Sequence, residues 1–279
     1  MRAIALAGLI ALAVAGCDDV CPTGECETRA VVSRQITFAT EVDGVSDGFD
    51  LDGIVSDGSD PESCRQPDYL GPDGTEGVDN QFAVLWDAIV TIAGDAVEGL
   101  VQGAIADGSL LLMVEVDGID DPVDDDCVGV GIFMGAGKPD IGTDGLITTG
   151  QTFDMAPTSP YTRIDCAEIR DGVVLAGPFD GIVPVQILDV GFELEVHDAH
   201  LRGALREDGS MDIVLGAGVP TQQIIDVAND ADGFDAGVVI QLVNARADMA
   251  RDDELQECTQ ISATILVDGA SAFVFEEAE

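Results

Sequence analysis

The stretch DGVVLAGPFDGIVPVQILDVGFELEVHDAHLRGALREDGSMDIVL, residues 171–215, decides the fold class. It consists of apolar runs rich in Val, Ile and Phe, which are typical of strands, separated by short polar connections. Asp171-Gly172 and Asp208-Gly209 are residue pairs that readily adopt the positive φ angles of tight hairpin turns. Because successive strands joined by tight turns pair antiparallel, this stretch predicts an antiparallel sheet or sandwich.

Runs of the same kind flank this stretch on both sides, and each is bounded by turn-forming residues. Within the last run, Asp268-Gly269 predicts a further turn. No segment repeats at a fixed period, which argues against a solenoid or a propeller. The flanking strand-like runs are 31–39, 109–116, 127–134, 161–169 and 261–275.

Between the first two runs, the hydrophobic period changes to that of a helix. Asp79 can cap a helix whose apolar residues, over 82–93, recur at spacings of three and four. Asp95 then caps a second helix, which ends at Gly108. We therefore expect an α+β fold, mainly an antiparallel sheet or sandwich, with an αα-hairpin near residues 79–108 and one or two further helices. The further helices are predicted at 221–228 and 234–251.

The N-terminal residues MRAIALAGLIALAVAGC, 1–17, have the pattern of a bacterial lipoprotein precursor. One positive charge precedes an apolar stretch shorter than the roughly 20 residues that span a bilayer, as in a secretory signal peptide. Val14 to Cys17 resembles a lipobox, whose cysteine thiol receives diacylglycerol before cleavage. We expect a protein of the cell envelope, lipid-anchored and facing the periplasm or the cell surface. The predicted segments are a signal peptide at 1–16, an acylated tether at 17–30 and a single domain at 31–279.

The charge of the chain excludes two classes of partner. There are 54 acidic and 11 basic residues, for a formal net charge of −43. Binding to nucleic acid or to anionic lipid surfaces depends on basic patches, so membrane contact is expected through the lipid anchor alone. The hydrophobic content of 46% is too high for a disordered acidic chain, so the chain folds.

The cysteines predict disulfides. Of the seven, Cys17 is used by the lipid, and an even number in an oxidising compartment then favours pairing. Zinc is the alternative use, but the chain has no CxxC pair and only two histidines. Cys21 and Cys26 are close enough in sequence to close a local loop. The disulfide candidates are Cys21, Cys26, Cys64, Cys127, Cys166 and Cys258.

Two Asp-rich loops are candidate calcium sites, because calcium takes clustered oxygen ligands from loops. The first loop, over 41–80, is not an EF-hand, because aligning Asp50 and Asp52 with the motif places Gly48 where the first ligand is required. The alternative for both is a solvated acidic loop. The candidate ligands are Asp50, Asp52, Asp57, Asp60, Asp73 and Asp79 in the first loop and Asp121, Asp124, Asp125 and Asp126 in the second.

Other site chemistry has weaker support. Glu193, Glu195, His197 and His200 would form a transition-metal site only if a bulge turned them to one face of a strand, and a solvated strand face is the alternative. No GxSxG nucleophile motif is present, and the sequence GAGK at 135–138 lacks the first glycine and the Ser/Thr of a phosphate loop. Catalysis is therefore unsupported.

The segments GPDGTEGVDNQ (71–81), DDDC (124–127) and DGVVLAGPFD (171–180) resemble segments of predicted lipoproteins of myxobacterial type, a group with no assigned function. The resemblance covers most of the mature chain and implies an envelope setting without implying an activity. We expect a non-catalytic envelope or surface lipoprotein, stabilised by cations, that binds a protein or glycan partner. A carrier of an apolar ligand and a carboxylate-based hydrolase are the alternatives, and the hydrolase would need two facing acids with one raised pKa.

Overall fold

A computed structural model describes residues 26–93, 96–157, 159–187, 190–230 and 236–275. Within these ranges it contains ten strands, all in one sheet, and four helices. The strands are β1 (Glu27–Phe38), β2 (Leu112–Ile119), β3 (Asp125–Ala136), β4 (Gln151–Met155), β5 (Thr162–Arg170), β6 (Val173–Ile187), β7 (Val190–Leu205), β8 (Met211–Pro220), β9 (Met249–Asp252) and β10 (Glu257–Phe275). The helices are α1 (Phe82–Ala93), α2 (Ala96–Asp107), α3 (Thr221–Asp230) and α4 (Ala236–Arg246).

The sheet closes on itself as an eight-stranded antiparallel barrel, in the order β1-β2-β3-β5-β6-β7-β8-β10. Closure comes from the pairing of β1 with β10, in which Ala30 lies opposite Ala272, and of β3 with β5. The predicted sandwich is therefore wrong, because a sandwich keeps two separate sheets. Closure pairs the strand edges that an open sheet would leave free. Outside this ring, β4 pairs with both β10 and β3, and β9 pairs with β10.

The interior of the barrel is filled by apolar side chains. In register, Val267 of β10 lies beside Ile213 of β8, which lies beside Gly203 of β7. The same row continues through Val174 of β6 and Ile169 of β5. All five residues are buried, and all except the glycine belong to one continuous apolar cluster. Small barrels are commonly filled in this way, and the alternating strand pattern of the sequence reflects it.

The predicted αα-hairpin is also wrong, although both of its helices exist. Helix α1 packs against β10 and α4, whereas α2 packs against β1 and β6. Since β1 and β6 stand on opposite sides of the ring, α2 lies across one end of the barrel. Its Ile105 is fully buried in the barrel cluster. The apolar stripes of these helices therefore cover the barrel instead of each other.

Three predicted boundaries differ from the structure. β1 begins at Glu27, so the last residues of the expected tether are part of the barrel. No turn forms at Asp268-Gly269, because Gly269 pairs with Met211 on one side and Ser33 on the other. The helix predicted at 234–251 ends earlier, and its last residues form β9.

The predicted signal peptide, Cys17, Cys21 and the tether before residue 26 lie outside the described residues, as does Asp95, the predicted cap of the second helix. In the part of the chain that is described, none of the helices has the length and apolar character needed to cross a membrane.

Residues 39–81, here called the cover segment, connect β1 to α1 without a regular helix or strand and pack on the barrel. At its ends, the backbone N–H of Ala39 donates to the carbonyl of Thr264 at 2.9 Å, and the side-chain oxygen of Asn80 accepts from the N–H of Thr264. In its middle, Phe49 stacks on His200 at a ring distance of 5.6 Å. Gly216 leaves room for this ring, since a Cβ there would lie 2.6 Å from it.

Candidate metal centre

The structure brings together Asp50, Asp52 and Asp79, three of the ten predicted calcium ligands. One ligand oxygen from each lies within 4.8 Å of the others. The meeting depends on a backbone bridge, in which the N–H of Asp79 donates to the carbonyl of Phe49 at 2.8 Å. This bridge closes the loop of the cover segment between Phe49 and Asp79. It therefore brings Asp79 next to Asp50 and Asp52, which are far from it in sequence.

Backbone N–H groups orient these three carboxylates. Asp79 Oδ2 accepts from the N–H of Leu51 at 2.7 Å and from that of Asp52 at 3.3 Å. Asp50 Oδ1 accepts from the N–H of Gly53 at 2.7 Å. Asp52 Oδ1 accepts from the N–H of Ile54 at 2.8 Å. The loop is therefore wrapped around carboxylate oxygens, and its shape depends on them.

These carboxylates are costly to ionise without a cation. Burial, with the charges of Asp52 and Asp248, raises the pKa of Asp79 to about 9. Burial raises the pKa of Asp68, a hydrogen-bond partner of Asp79, to about 6. Burial likewise raises the pKa of Asp248 to about 7. No ion pair with a basic residue of the described ranges is formed by Asp52, Asp68, Asp79 or Asp248.

The group has the chemistry that calcium prefers. All three ligand side chains offer carboxylate oxygens, and no cysteine or histidine belongs to the group, as zinc or copper would favour. Asp79 is buried, Asp52 is half-buried and Asp50 is exposed. An ion could therefore reach the group from the Asp50 side, where water would complete its coordination.

The other predicted ligands of the first loop do not join this group. Asp57 accepts from the N–H and hydroxyl of Ser59, and Asp73 accepts in the same way from Thr75. Asp60 accepts from the backbone N–H two residues later, at 2.8 Å. These three acids stabilise their own turns, a role common for aspartate in loops.

The second predicted cluster, at 121–126, does not converge. Asp125 accepts from the N–H groups of Asp120 and Cys127, which fixes the start of β3. Asp126 forms an ion pair with Arg170 at 2.8 Å. Asp121 accepts from a backbone N–H of its own turn, and Asp124 is exposed. Among the described residues, no metal-binding group of three includes any of these acids.

The disulfide prediction is confirmed for the cysteines of the barrel and the cover segment. Cys64 is bonded to Cys258, and Cys127 is bonded to Cys166. Cys26 is also disulfide-bonded, whereas its predicted partner lies outside the described residues. Oxidised cysteines fit a non-cytoplasmic protein.

The two histidines satisfy only one condition of the transition-metal hypothesis. A β-bulge does lie between His197 and His200 on β7, and it turns both toward one face. Their surroundings differ, however: His197 Nδ1 lies 3.4 Å from Asp180, whereas burial lowers the pKa of His200, which stacks on Phe49. Neither histidine belongs to a metal-binding group of the described residues.

Two acids of this region were missed from the sequence. Asp68 lies in the cover segment between Pro67 and Tyr69, where nothing in the local pattern separates it from its acidic neighbours. Asp248 lies between α4 and β9, outside both Asp-rich loops, and accepts from the N–H of Ser262 at 2.8 Å. No local signal marked it, because the helix predicted over 234–251 included this position.

No family model, curated protein or solved structure matches this chain. The resemblance to lipoproteins of myxobacterial type therefore stays a prediction.

Proposed function

We propose that this chain is a non-catalytic, lipid-anchored protein of the cell envelope whose barrel carries a calcium-stabilised surface for binding a protein or glycan partner. The observation that carries the proposal is the approach of Asp50, Asp52 and Asp79 to within 4.8 Å at a partly buried place. Calcium at this place would replace the repulsion between carboxylates with attraction. It would thereby hold together the two ends of the loop that runs from Phe49 to Asp79 in the cover segment.

The charges around the group favour this role over a solvated acidic loop. A solvated loop would leave its carboxylates in water with ordinary pKa values. Here Asp79 is 2% exposed and Asp248 is 3% exposed, and the charged forms of both are penalised. A buried carboxyl group either stays protonated or has its charge compensated, and a divalent cation would supply the compensation that lets Asp79 and Asp248 ionise.

The two alternative functions have less support. A carrier of an apolar ligand needs interior space, but residues such as Leu201 and Met211 fill the described part of the barrel. A carboxylate hydrolase needs facing acids that a substrate can reach. Asp79 does have a raised pKa beside Asp52, but its side chain is too buried to touch a substrate.

Titration calorimetry tests the calcium proposal. Protein first stripped with a chelator should give a saturable calcium heat, and Asp52→Asn should weaken binding about tenfold or more because it removes a charged ligand. Asp73→Asn is the matched control, since Asp73 lies in the same segment but bonds within its own turn. The absence of a calcium heat in the wild-type protein would contradict the proposal.

The anchor is tested separately, on protein from the native cell. Mass spectrometry should find a mature chain that starts at an acylated Cys17 and lacks residues 1–16. An unmodified sulfur at this position would contradict the lipid anchor and leave the calcium proposal in place.

A further inference from the structure

A cavity of about 390 Å³ lies beside the disulfide between Cys64 and Cys258. Its walls come from three separate parts of the chain: the cover segment at 61–66, the end of α4 and the hairpin of β9 and β10. The volume falls within the range of small-molecule sites, about 300–1,000 Å³. Because the disulfide joins the first part to the third, the cavity is held in shape before any ligand arrives.

Two arginines line this cavity in a chain that has only 11 basic residues against 54 acidic ones. Arg251 is oriented by Glu62, at 3.0 Å, and by Gln256. Arg65 is an exposed residue, and its guanidinium group has no hydrogen bond or ion pair with any residue of the described ranges. Arg65 can therefore offer its planar pair of N–H donors to a carboxylate.

The backbone around the cavity adopts an unusual conformation. Seven described residues other than glycine have positive φ, and three of them, Cys64, Arg65 and Gln256, line the cavity. A fourth, Ala250, directly precedes Arg251. Side chains disfavour this left-handed region, and residues held there concentrate at binding sites. Here the conformation of Arg65 sets the direction from which its side chain leaves the backbone.

The remaining lining is mostly polar. Asn244, Gln256 and Glu257 offer amide and carboxylate groups, which pair well with hydroxyl groups. The apolar lining residues are small, namely Pro61, Ala245 and Ala247. A large apolar side chain would therefore contact little apolar surface here, whereas the hydroxyl groups of a sugar ring would meet hydrogen-bonding groups.

We infer that this cavity binds a uronic acid unit of an acidic glycan, with the sugar carboxylate on Arg65 and the hydroxyl groups on the neighbouring amides. The inference rests on the binding role in the proposed function, whose partner it specifies, but it does not depend on calcium. The net charge of the protein does not forbid an anionic ligand. At physiological ionic strength charges beyond about 8 Å are largely screened, so distant acids count little. Of the groups close by, Arg251 is paired with Glu62 and Glu257 is acidic, which leaves Arg65 as the cation that would bind the sugar carboxylate.

The test titrates folded, calcium-loaded protein with tri-galacturonic acid and with neutral galactotriose. The acidic sugar should bind. The neutral sugar should bind at least about tenfold more weakly, because it lacks the charge-assisted hydrogen bonds. Arg65→Gln should weaken binding of the acidic sugar by about the same factor. Arg206→Gln is the control, since Arg206 pairs with the exposed Asp212 and does not line the cavity.

The inference would be overturned by equal affinity of Arg65→Gln and the wild-type protein, by equal affinity for both sugars, or by no binding at about 10 mM acidic sugar. Tighter binding of N-acetylglycine than of the acidic sugar would also overturn it, because it would assign the cavity to peptide carboxylates. Circular dichroism checks that Arg65→Gln folds. A calcium titration separates the two proposals: calcium binding without sugar binding removes this inference alone, and sugar binding without calcium binding removes only the calcium site.

Discussion

The barrel and the cover segment are stabilised by different kinds of interaction. The barrel buries apolar side chains in a closed ring of strands, whereas the cover segment is shaped by hydrogen bonds from its backbone N–H groups to its own carboxylates. Apolar burial does not depend on protonation or on ions, but carboxylate hydrogen bonds depend on both. We therefore expect the barrel to set the stability of the chain and the cover segment to set its response to pH, calcium and salt.

The largest effect should come from the barrel. Phe133 is 2% exposed in the main apolar cluster, and Phe133→Ala should lower the free energy of unfolding by about 3–5 kcal/mol, because it leaves a cavity. Leu175→Ala is the control, since Leu175 is 40% exposed on β6. Urea denaturation measures both. The loss should be the same with calcium and with chelator, and a loss that depends on calcium would break the distinction between the two regions.

The next effect concerns the link between them. The bond from Cys64 to Cys258 closes 194 residues and fastens the cover segment to β10, whereas the bond from Cys127 to Cys166 closes 39 residues within the barrel. Replacing both cysteines of the longer bridge with serine should cost about 2–4 kcal/mol of unfolding free energy, and the shorter bridge should cost less. Denaturation curves compare the two double variants. A larger loss from the shorter bridge would contradict this order.

The third effect is the pH dependence of the calcium-free protein. Since the folded pKa of Asp79, about 9, lies above its ordinary value, folding favours the protonated form. The resulting stability is complete below about pH 4 and is lost as the pH rises toward 9. Between pH 6 and pH 8, Asp79 alone should lower the free energy of unfolding by about 2–3 kcal/mol.

Denaturation in chelator across this range measures the slope, and Asp79→Asn is the informative variant, because asparagine can still accept from Leu51 but carries no charge. The slope should shrink in this variant, and saturating calcium should shrink it in the wild-type protein. A slope that is unchanged by the substitution would show that other groups cause it.

The same contrast explains which parts of the fold could be predicted from the sequence. Strand alternation and Asp-Gly turns act over a few residues, so the hairpin at Asp208-Gly209 was predictable. Closure was not, because it depends on Ala30 meeting Ala272, and no local pattern encodes such a pairing. The apolar stripe of α2 likewise indicated that a helix face is buried but not that the barrel buries it.

The candidate metal centre has the same limit. The sequence offered ten acids as ligands, and the backbone bridge between Phe49 and Asp79 selects three of them. Asp57 and Asp73 have the same local composition but bond within their own turns. Asp248 arrives from another part of the chain. Local chemistry therefore named the right kind of residue, and tertiary structure decided which residues meet.

The smallest expected effect is that of salt. A formal net charge of −43 destabilises the compact state by repulsion, and monovalent salt screens it. Raising NaCl from about 20 mM to about 500 mM in chelator should stabilise the protein by of order 1 kcal/mol, as for other exposed charges. Thermal denaturation at pH 7 measures the shift, which should be unchanged in Asp79→Asn, because Asp79 with a pKa of about 9 is already uncharged in the calcium-free protein. A melting temperature that stays flat over this range would mean that the repulsion does not act on folding, and the sensitivity to ions would then belong to the calcium group alone.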